Sequence, residues 1–408
     1  MKIELRLRRK ENLLNSFDEL SLSPALKKAL TDINWAAPTP VQAEAIPVAL
    51  TGVDLIVSAQ TGTGKTAAFV LPILERAIAN PEKLALILTP TRELAAQIAE
   101  VIFQLTKYAK HIRAALIIGG DSYTRQIRAL QRKPTILVAT PGRLNDHLDE
   151  GRISLKNVST LVLDEADRML DMGFAPQIET IMKQLPAKRQ SLLFSATLPK
   201  ETLRLANTYL KDPAKVAIGE QGLAVDKIEQ SQIELRHEDK NEQVLGLIDK
   251  SRRTLIFTRT KIRADRLSKY LIKMDVRCVA IHGGKTQSQR NKAISMFRAD
   301  VCNVLVATDV ASRGLDIPEI ECVVNFDLPQ SKEDYVHRIG RTARAGAAGR
   351  AISFVTPEER SMWRYISSES SSAPSKKAGG RGGRGGRIRG FFAKRPKFRK
   401  EQKRASYR

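Results

Sequence analysis

Cysteine is scarce in this chain. Cys278, Cys302 and Cys322 stand far apart with no CxxC spacing. That argues against a zinc site or a disulfide framework and for a reducing compartment, the cytoplasm. No run of about 18 apolar residues occurs, so no membrane span is expected. The opening MKIELRLRRKEN is charged and no apolar segment follows it, so it does not read as a secretory signal. Residues 1–15 read only as a basic extension. Aromatic residues are few, at 5 %. Acidic residues are in deficit: 44 Asp and Glu face 68 Lys and Arg, for a net charge of +24. The excess is concentrated at the end, where Ala373–Arg408 holds fourteen Lys or Arg and a single Glu, Glu401. The rest of the chain is basic too. Such a balance favours a polyanionic partner, with nucleic acid the first candidate.

What is present suffices for real cores. Hydrophobic residues form 42 % of 408 positions, a length suited to two domains and a tail. Short apolar runs alternate with helical patterns. They are DLIVSA (54–59), LALILTP (84–90), TILVAT (135–140), TLVLDEA (160–166) and SLLFSAT (191–197), then TLIFTRT (254–260), RCVAIHG (277–283), VLVATD (304–309) and CVVNFDL (322–328). Runs this apolar fit strands covered on both faces, the mark of parallel α/β sheets. The polar stretch GEQGLAVDKIEQ (219–230) reads as a linker. The division is domain one over 16–218, linker 219–227, domain two over 228–366 and tail 367–408. The tail, with GGRGGRGGRIRG and then FFAKRPKFRKEQKR, has too little apolar surface to repay its ordering entropy and is expected to be disordered.

Two segments carry chemistry. AQTGTGKT (59–66) follows a strand-like run and precedes a helical one. Gly62 and Gly64 let the backbone turn so that successive N–H groups face phosphate oxygens at a helix start. Lys65 is placed for the β- and γ-phosphates of ATP and Thr66 for magnesium; Thr61 and Thr63 complete the loop. Ala59 stands where the general pattern has glycine. DEAD (164–167) ends another strand, expected to lie beside the phosphate loop. Asp164 is placed to hold Mg2+ through water, and Glu165 to orient and deprotonate the attacking water.

In the order AQTGTGKT, PTRELAAQ (90–97), GG (119–120), TPGR (140–143), DEAD, SAT (195–197), TDVASRGLD (308–316) and HRIGRTARAG (337–346), the chain resembles the DEAD-box RNA helicases of superfamily 2. The match runs from about Phe17 to Thr356. VLDEADRMLDMGF (162–174) and the basic tail are most similar to the bacterial RhlE subgroup. The resemblance implies two tandem RecA-like domains with ATP and RNA in the cleft between them. It assigns adenine stacking to Phe17 and adenine reading to Gln42 of PTPVQ (38–42). Asn34-Trp35 replaces the usual glycine–aromatic pair, so the local turn is expected to differ. Ser195 and Thr197 are implied in coupling hydrolysis to strand separation, and His337 in bridging to the DEAD segment. Asp316 matches the ribose contact; Arg341 and Arg344 match the arginine fingers, which reach the γ-phosphoryl group on domain closure. Ala343 replaces the usual glycine between them.

The implied RNA contacts are Pro90, Thr91, Arg92, Gly119, Gly120, Thr140 and Arg143 in domain one, with Thr258, Arg259, Arg290 and Thr308 in domain two. Arg290 belongs to QSQR (287–290), which resembles the QxxR element. Such groups suit sugar–phosphate contact without sequence readout. The tail, with Arg381, Arg384, Phe391, Phe392 and Phe398, suits auxiliary contact with single strands. The expected activity is RNA-stimulated ATP hydrolysis coupled to local unwinding of short duplexes. A DNA motor, a tail-driven annealing protein and an ATP-gated clamp remain open. So do ribosomal or RNA-decay partners, by analogy with bacterial relatives.

Overall fold

Apolar runs of four to seven residues have no polar face to offer water, so they settle as strands between layers of helices. The structure, a computed structural model, describes residues 14–59, 62–218, 228–309, 320–343 and 349–367. The first half contributes β1 (Leu55–Ser58), β2 (Leu84–Leu88), β3 (Ala114–Ile117), β4 (Ile136–Ala139), β5 (Val158–Leu163), β6 (Gln190–Ser195) and β7 (Ala214–Ala217). They form a parallel sheet in the order β3-β4-β2-β5-β6-β1-β7. The second half contributes β8 (Ile228–Glu234), β9 (Thr254–Phe257), β10 (Cys278–Ile281), β11 (Val304–Ala307), β12 (Cys322–Asn325) and β13 (Gly349–Val355). Their parallel order is β10-β11-β9-β12-β13-β8. Two α/β domains with parallel sheets are therefore present, as the strand pattern predicts.

Alternate residues of each strand serve opposite cores. Leu55 and Val57 of β1 join helices Pro24–Asp32, Pro40–Leu50, Lys65–Ala79 and Arg92–Leu105 on one face. Ile56 joins helices Pro141–Asp149, Ala175–Lys183 and Lys200–Tyr209 on the other. In domain two, Ile256 packs with helix Lys261–Lys273, and Leu255 and Phe257 pack with helix Gln287–Arg298. Among the described residues no helix is long and apolar enough to cross a membrane.

Four strands are not among the runs read from the sequence: β3, β7, β8 and β13. The first three lie at sheet edges, and β7 and β8 are largely solvent-facing, so their residues need not be apolar. Ile228–Gln230, the end of the polar stretch read as linker, open β8 and pair with β13. A second difference concerns the site. The end of the acidic strand lies within electrostatic reach of Lys65 in the phosphate loop, as expected, but β6, not foreseen there, lies between β5 and β1. The intervening strand is the one that ends in Ser195. Thr61, Asp316 and Arg344, residues 1–13, the linker 219–227 and the tail from residue 368 lie outside the described residues.

Candidate functional site

The phosphate loop joins β1 to helix Lys65–Ala79 and turns on Gly62 (φ 86°) and Gly64 (φ 94°), left-handed values that a side chain resists. A Cβ on Gly64 would also run into Gln42 Nε2. Gln42 is buried. Its Nε2 donates to the Gly64 carbonyl at 3.0 Å, and its Oε1 accepts from the Thr39 N–H at 3.0 Å. Each end of the amide makes one bond, which fixes its orientation and leaves one N–H and one lone pair for an adenine edge. Phe17 is 4 % exposed and belongs to the domain-one core, so its ring offers almost no face to a base. Lys65, also buried, donates to the Ala59 carbonyl at 2.8 Å. The loop is closed on its own lysine.

The acidic segment begins where β5 ends. Burial pushes the Asp164 carboxyl up to about 7 against the pull of Lys65, with Glu165 and Asp167 adding to the rise. The Glu165 N–H donates to Asp164 Oδ1 at 3.0 Å. Glu165 is buried and left-handed (φ 51°), an uncommon conformation for its residue type. The Asp164 carboxylate and the half-buried Thr66 hydroxyl are hard oxygen donors of the kind magnesium takes. A cation beside Asp164 would restore its ionised form. The residues present therefore fit a magnesium–nucleotide ligand.

Ser195 and Thr197 are tied to the same segment. Thr197 donates to Asp167 Oδ2 from its N–H (2.9 Å) and its hydroxyl (2.8 Å). The Asp167 N–H donates to Ser195 Oγ at 3.3 Å, and that hydroxyl donates to the Thr197 carbonyl at 2.6 Å. The Ala59 N–H donates to the Ser195 carbonyl at 3.1 Å. The position of β6 explains this: the strand between the two motifs links them.

In domain two, His337 lies on helix Lys332–Ile339 and Arg341 is buried just beyond it. Sequence reasoning passed over Arg338. Its guanidinium forks onto Asp309 (2.6 and 2.7 Å) and donates to Asn325 Oδ1 and the Asp327 carbonyl. It fastens the 337–346 motif to the 308–316 motif. Its place between His337 and Arg341 was the only signal in the sequence. The two departures from the family pattern also gain a reading. Asn34 (φ 57°) and Ala343 (φ 56°) both occupy left-handed backbone, where glycine costs least. At residue 34 asparagine tolerates this region. At residue 343 alanine holds it with strain.

The implied RNA contacts divide. Arg92 lies over Gly119 and Gly120, so that a Cβ at Gly120 (φ 74°) would overlap its guanidinium. Thr91 caps helix Arg92–Leu105, accepting from the Leu94 N–H, with buried Pro90 ahead of it. Thr140 precedes helix Pro141–Asp149, and Arg143 sits 4.8 Å from the Tyr123 ring centroid and 3.1 Å from Asp146. Tyr123, stacked on His147, was not foreseen. In domain two, Thr308 is half-buried at the end of β11. Thr258 is fully buried, with its hydroxyl turned to the Thr260 carbonyl, and Arg259 pairs with Glu359 at 3.0 Å. Arg290 is buried too, at 2.7 Å from Glu93. Gln287 Nε2 donates to the other Glu93 oxygen at 3.2 Å. Glu93 thus takes both side chains of the second-domain QxxR element. Its signal was membership of PTRELAAQ.

Comparison with known proteins decides the family. Residues 39–205 match the DEAD/DEAH box helicase family and residues 239–346 the helicase conserved C-terminal domain. The chain belongs to the DEAD-box RNA helicase family. It is 46 % identical over 346 residues to the ATP-dependent RNA helicase CshA of Limosilactobacillus reuteri, covering 84 % of this chain and 69 % of that protein. S. cerevisiae Dbp5 bound to RNA and ADP BeF3 superposes with a TM-score of 0.76 at 33 % identity, over 86 % of this chain and 94 % of that one. A DEAD box protein from Methanococcus jannaschii is 41 % identical, with coverage of 86 % and 96 %, and its TM-score is 0.51. The two domains are accordingly the family's RecA-like pair.

Proposed function

We propose that this DEAD-box helicase hydrolyses ATP in the domain-one site and uses RNA-driven closure of its two domains to part short duplexes with little sequence preference. One observation carries the coupling. Glu93, beside the implied RNA contacts Thr91 and Arg92, is held by Gln287 and Arg290 of domain two. The elements that would grip one RNA strand from both sides are already joined there. Superposition on an RNA-bound helicase supports the same reading.

In this account Lys65 exchanges the Ala59 carbonyl for phosphate oxygen. Gln42 selects adenine and Asp316 takes the ribose, while stacking by Phe17 requires its ring to leave the domain-one core. Glu165 orients the attacking water and accepts its proton. Arg341 and Arg344 stabilise charge on the γ-phosphoryl group once the domains meet. Asp164 and Thr66 would hold magnesium, which supplies charge neutralisation at the phosphates. Ser195, Thr197 and His337 couple hydrolysis to the RNA face. Pro90 to Arg92, Gly119, Gly120, Thr140, Arg143, Thr258, Arg259, Arg290 and Thr308 contact the sugar–phosphate backbone. For Thr258 and Arg259 this requires leaving their present partners, whereas Arg290 can keep Glu93 and offer its Nε, which has no hydrogen-bond partner.

We extend the reading to the tail as an auxiliary RNA contact, on its Arg-Gly repeats and charge. RhlE-like affinity rests on Val162–Phe174 and that tail, while the relative reported above is named CshA. Ribosomal or RNA-decay partners rest on the resemblance alone. Cytoplasmic residence fits three buried, free cysteines. The test measures unwinding of a short RNA duplex by wild type, by Glu165→Gln and by a chain ending at 366. Loss of unwinding in Glu165→Gln, with a weaker and less salt-dependent RNA affinity in the shortened chain, is expected. Unwinding undiminished in Glu165→Gln would overturn the reading.

A further inference from the structure

The DEAD segment holds a second buried charge that the mechanism above does not use. Arg168 is 1 % exposed, and among the described residues no other side chain buried to that degree is larger. Its Nη1 lies 3.7 Å from Glu165 Oε2, one turn back along the helix. That separation is too long for a hydrogen bond. Correspondingly, Arg168 Nε and Nη1 and Glu165 Oε2 all lack a hydrogen-bond partner. An unsatisfied buried polar atom costs about 1–3 kcal/mol, and more when charged, so three in one pair call for a physical reason. The neighbourhood sharpens the question. Asp164, Glu165 and Asp167 crowd together, while Arg168 and Lys65 are the cations in reach, and Lys65 is turned to the Ala59 carbonyl. The Arg168 backbone is pinned, its N–H donating to Asp167 Oδ1 at 3.0 Å. Its guanidinium is therefore aimed from a fixed helix at the Glu165 carboxylate, whose Oε2 has no hydrogen-bond partner.

We propose that Arg168 is a positioning residue for Glu165, holding its carboxylate by charge, loosely enough that the carboxylate swings to the attacking water when nucleotide binds. A tight bidentate fork would lock Glu165 away from the reaction; an apolar residue would leave a buried carboxylate with nothing to orient it. A separated ion pair, with hydrogen-bonding capacity unspent on both sides, does neither. The left-handed backbone at Glu165 (φ 51°) sets where the side chain starts, and Arg168 sets where it rests.

This rests on the reading of Glu165 as the residue that orients water, and the experiment keeps the two apart. Arg168→Met, Arg168→Lys and Glu165→Gln are compared with wild type in the full-length chain. The readouts are kcat and KM for ATP at saturating single-stranded RNA, affinity for a fluorescent ADP analogue, and melting temperature. Arg168→Met leaves Glu165 buried without its cation and is expected to lower the melting temperature, whereas Arg168→Lys keeps a cation there. The expected result for Arg168→Met, assayed where it is fully folded, is a kcat loss of about tenfold or more, part of the 10²–10⁴-fold a general base supplies. KM and ADP affinity hold within error, and Arg168→Lys recovers much of the kcat loss. If Arg168→Met turns over within about twofold of wild type while Glu165→Gln is inactive, the role of Arg168 is refuted and that of Glu165 stands. If Glu165→Gln remains active, the underlying reading fails. A kcat loss matched by an equal loss of ADP affinity, or no recovery in Arg168→Lys, makes the residue structural and overturns the proposal.

Discussion

Replacing Asp164 by asparagine should abolish ATP turnover and yet make the nucleotide-free protein more stable. Burial raises the Asp164 carboxyl from its ordinary 3.8 to about 7. Below pH 4 both the folded and the unfolded chain hold the proton, and the residue contributes nothing to pH dependence. Between pH 4 and 7 the unfolded chain has released it and the folded chain has not. Each pH unit in that window therefore costs the fold about 1.4 kcal/mol. Above pH 7 the full cost, about 4 kcal/mol, is present. Asparagine never carries the charge and keeps the bond from the Glu165 N–H, since its Oδ1 replaces that of aspartate. It adds an amide N–H pair with no evident acceptor, which costs about 1–3 kcal/mol. The expected net gain is about 1–3 kcal/mol at pH 8, shrinking by about 2 kcal/mol at pH 5.5. Urea unfolding in EDTA measures it. Trp35 reports on domain one once Trp363, the other tryptophan, is replaced by phenylalanine. No gain at pH 8, or a gain independent of pH, would refute the argument.

Gly64→Ala should weaken binding of a fluorescent ATP analogue by about tenfold or more and lower stability by about 1–3 kcal/mol, because it combines left-handed strain with a clash on Gln42. Arg290→Ala should raise the RNA concentration for half-maximal ATPase by about tenfold or more, since it leaves Glu93 buried and unpaired. Adding Glu93→Gln to it should recover part of the loss, and a double mutant no better than Arg290→Ala would contradict that account. Ala343→Gly should leave the melting temperature unchanged or raised, whereas Ala343→Val should cost more than about 1 kcal/mol, the reverse of the usual helix ranking.

Much of this fold was legible because parallel strands buried on both faces have to be apolar throughout, as in LALIL and TLVL. Edge strands escape that demand, which is why Ile228–Glu234 was obscured by its polar residues. The ATP motifs were legible because phosphate chemistry fixes residue type and spacing together, as in Gly62, Gly64 and Lys65. Partnership across the fold was not. Nothing in the spacing says that Thr197 bonds Asp167, that Arg338 forks onto Asp309, or that Arg290 spends its charge on Glu93. Phe17 shows the converse: an aromatic in the right place for a base is also in the right place for a core. The two lost glycines were visible as substitutions, and only the backbone angles at Asn34 and Ala343 show what each position demands.

The most direct test of the central claim is steady-state ATPase activity in the presence of a single-stranded RNA and of DNA of the same sequence. Closure of the two domains on RNA predicts strong stimulation by RNA and little by DNA, with the RNA effect lost in Arg341→Ala. Equal stimulation by both, or by neither, would contradict it.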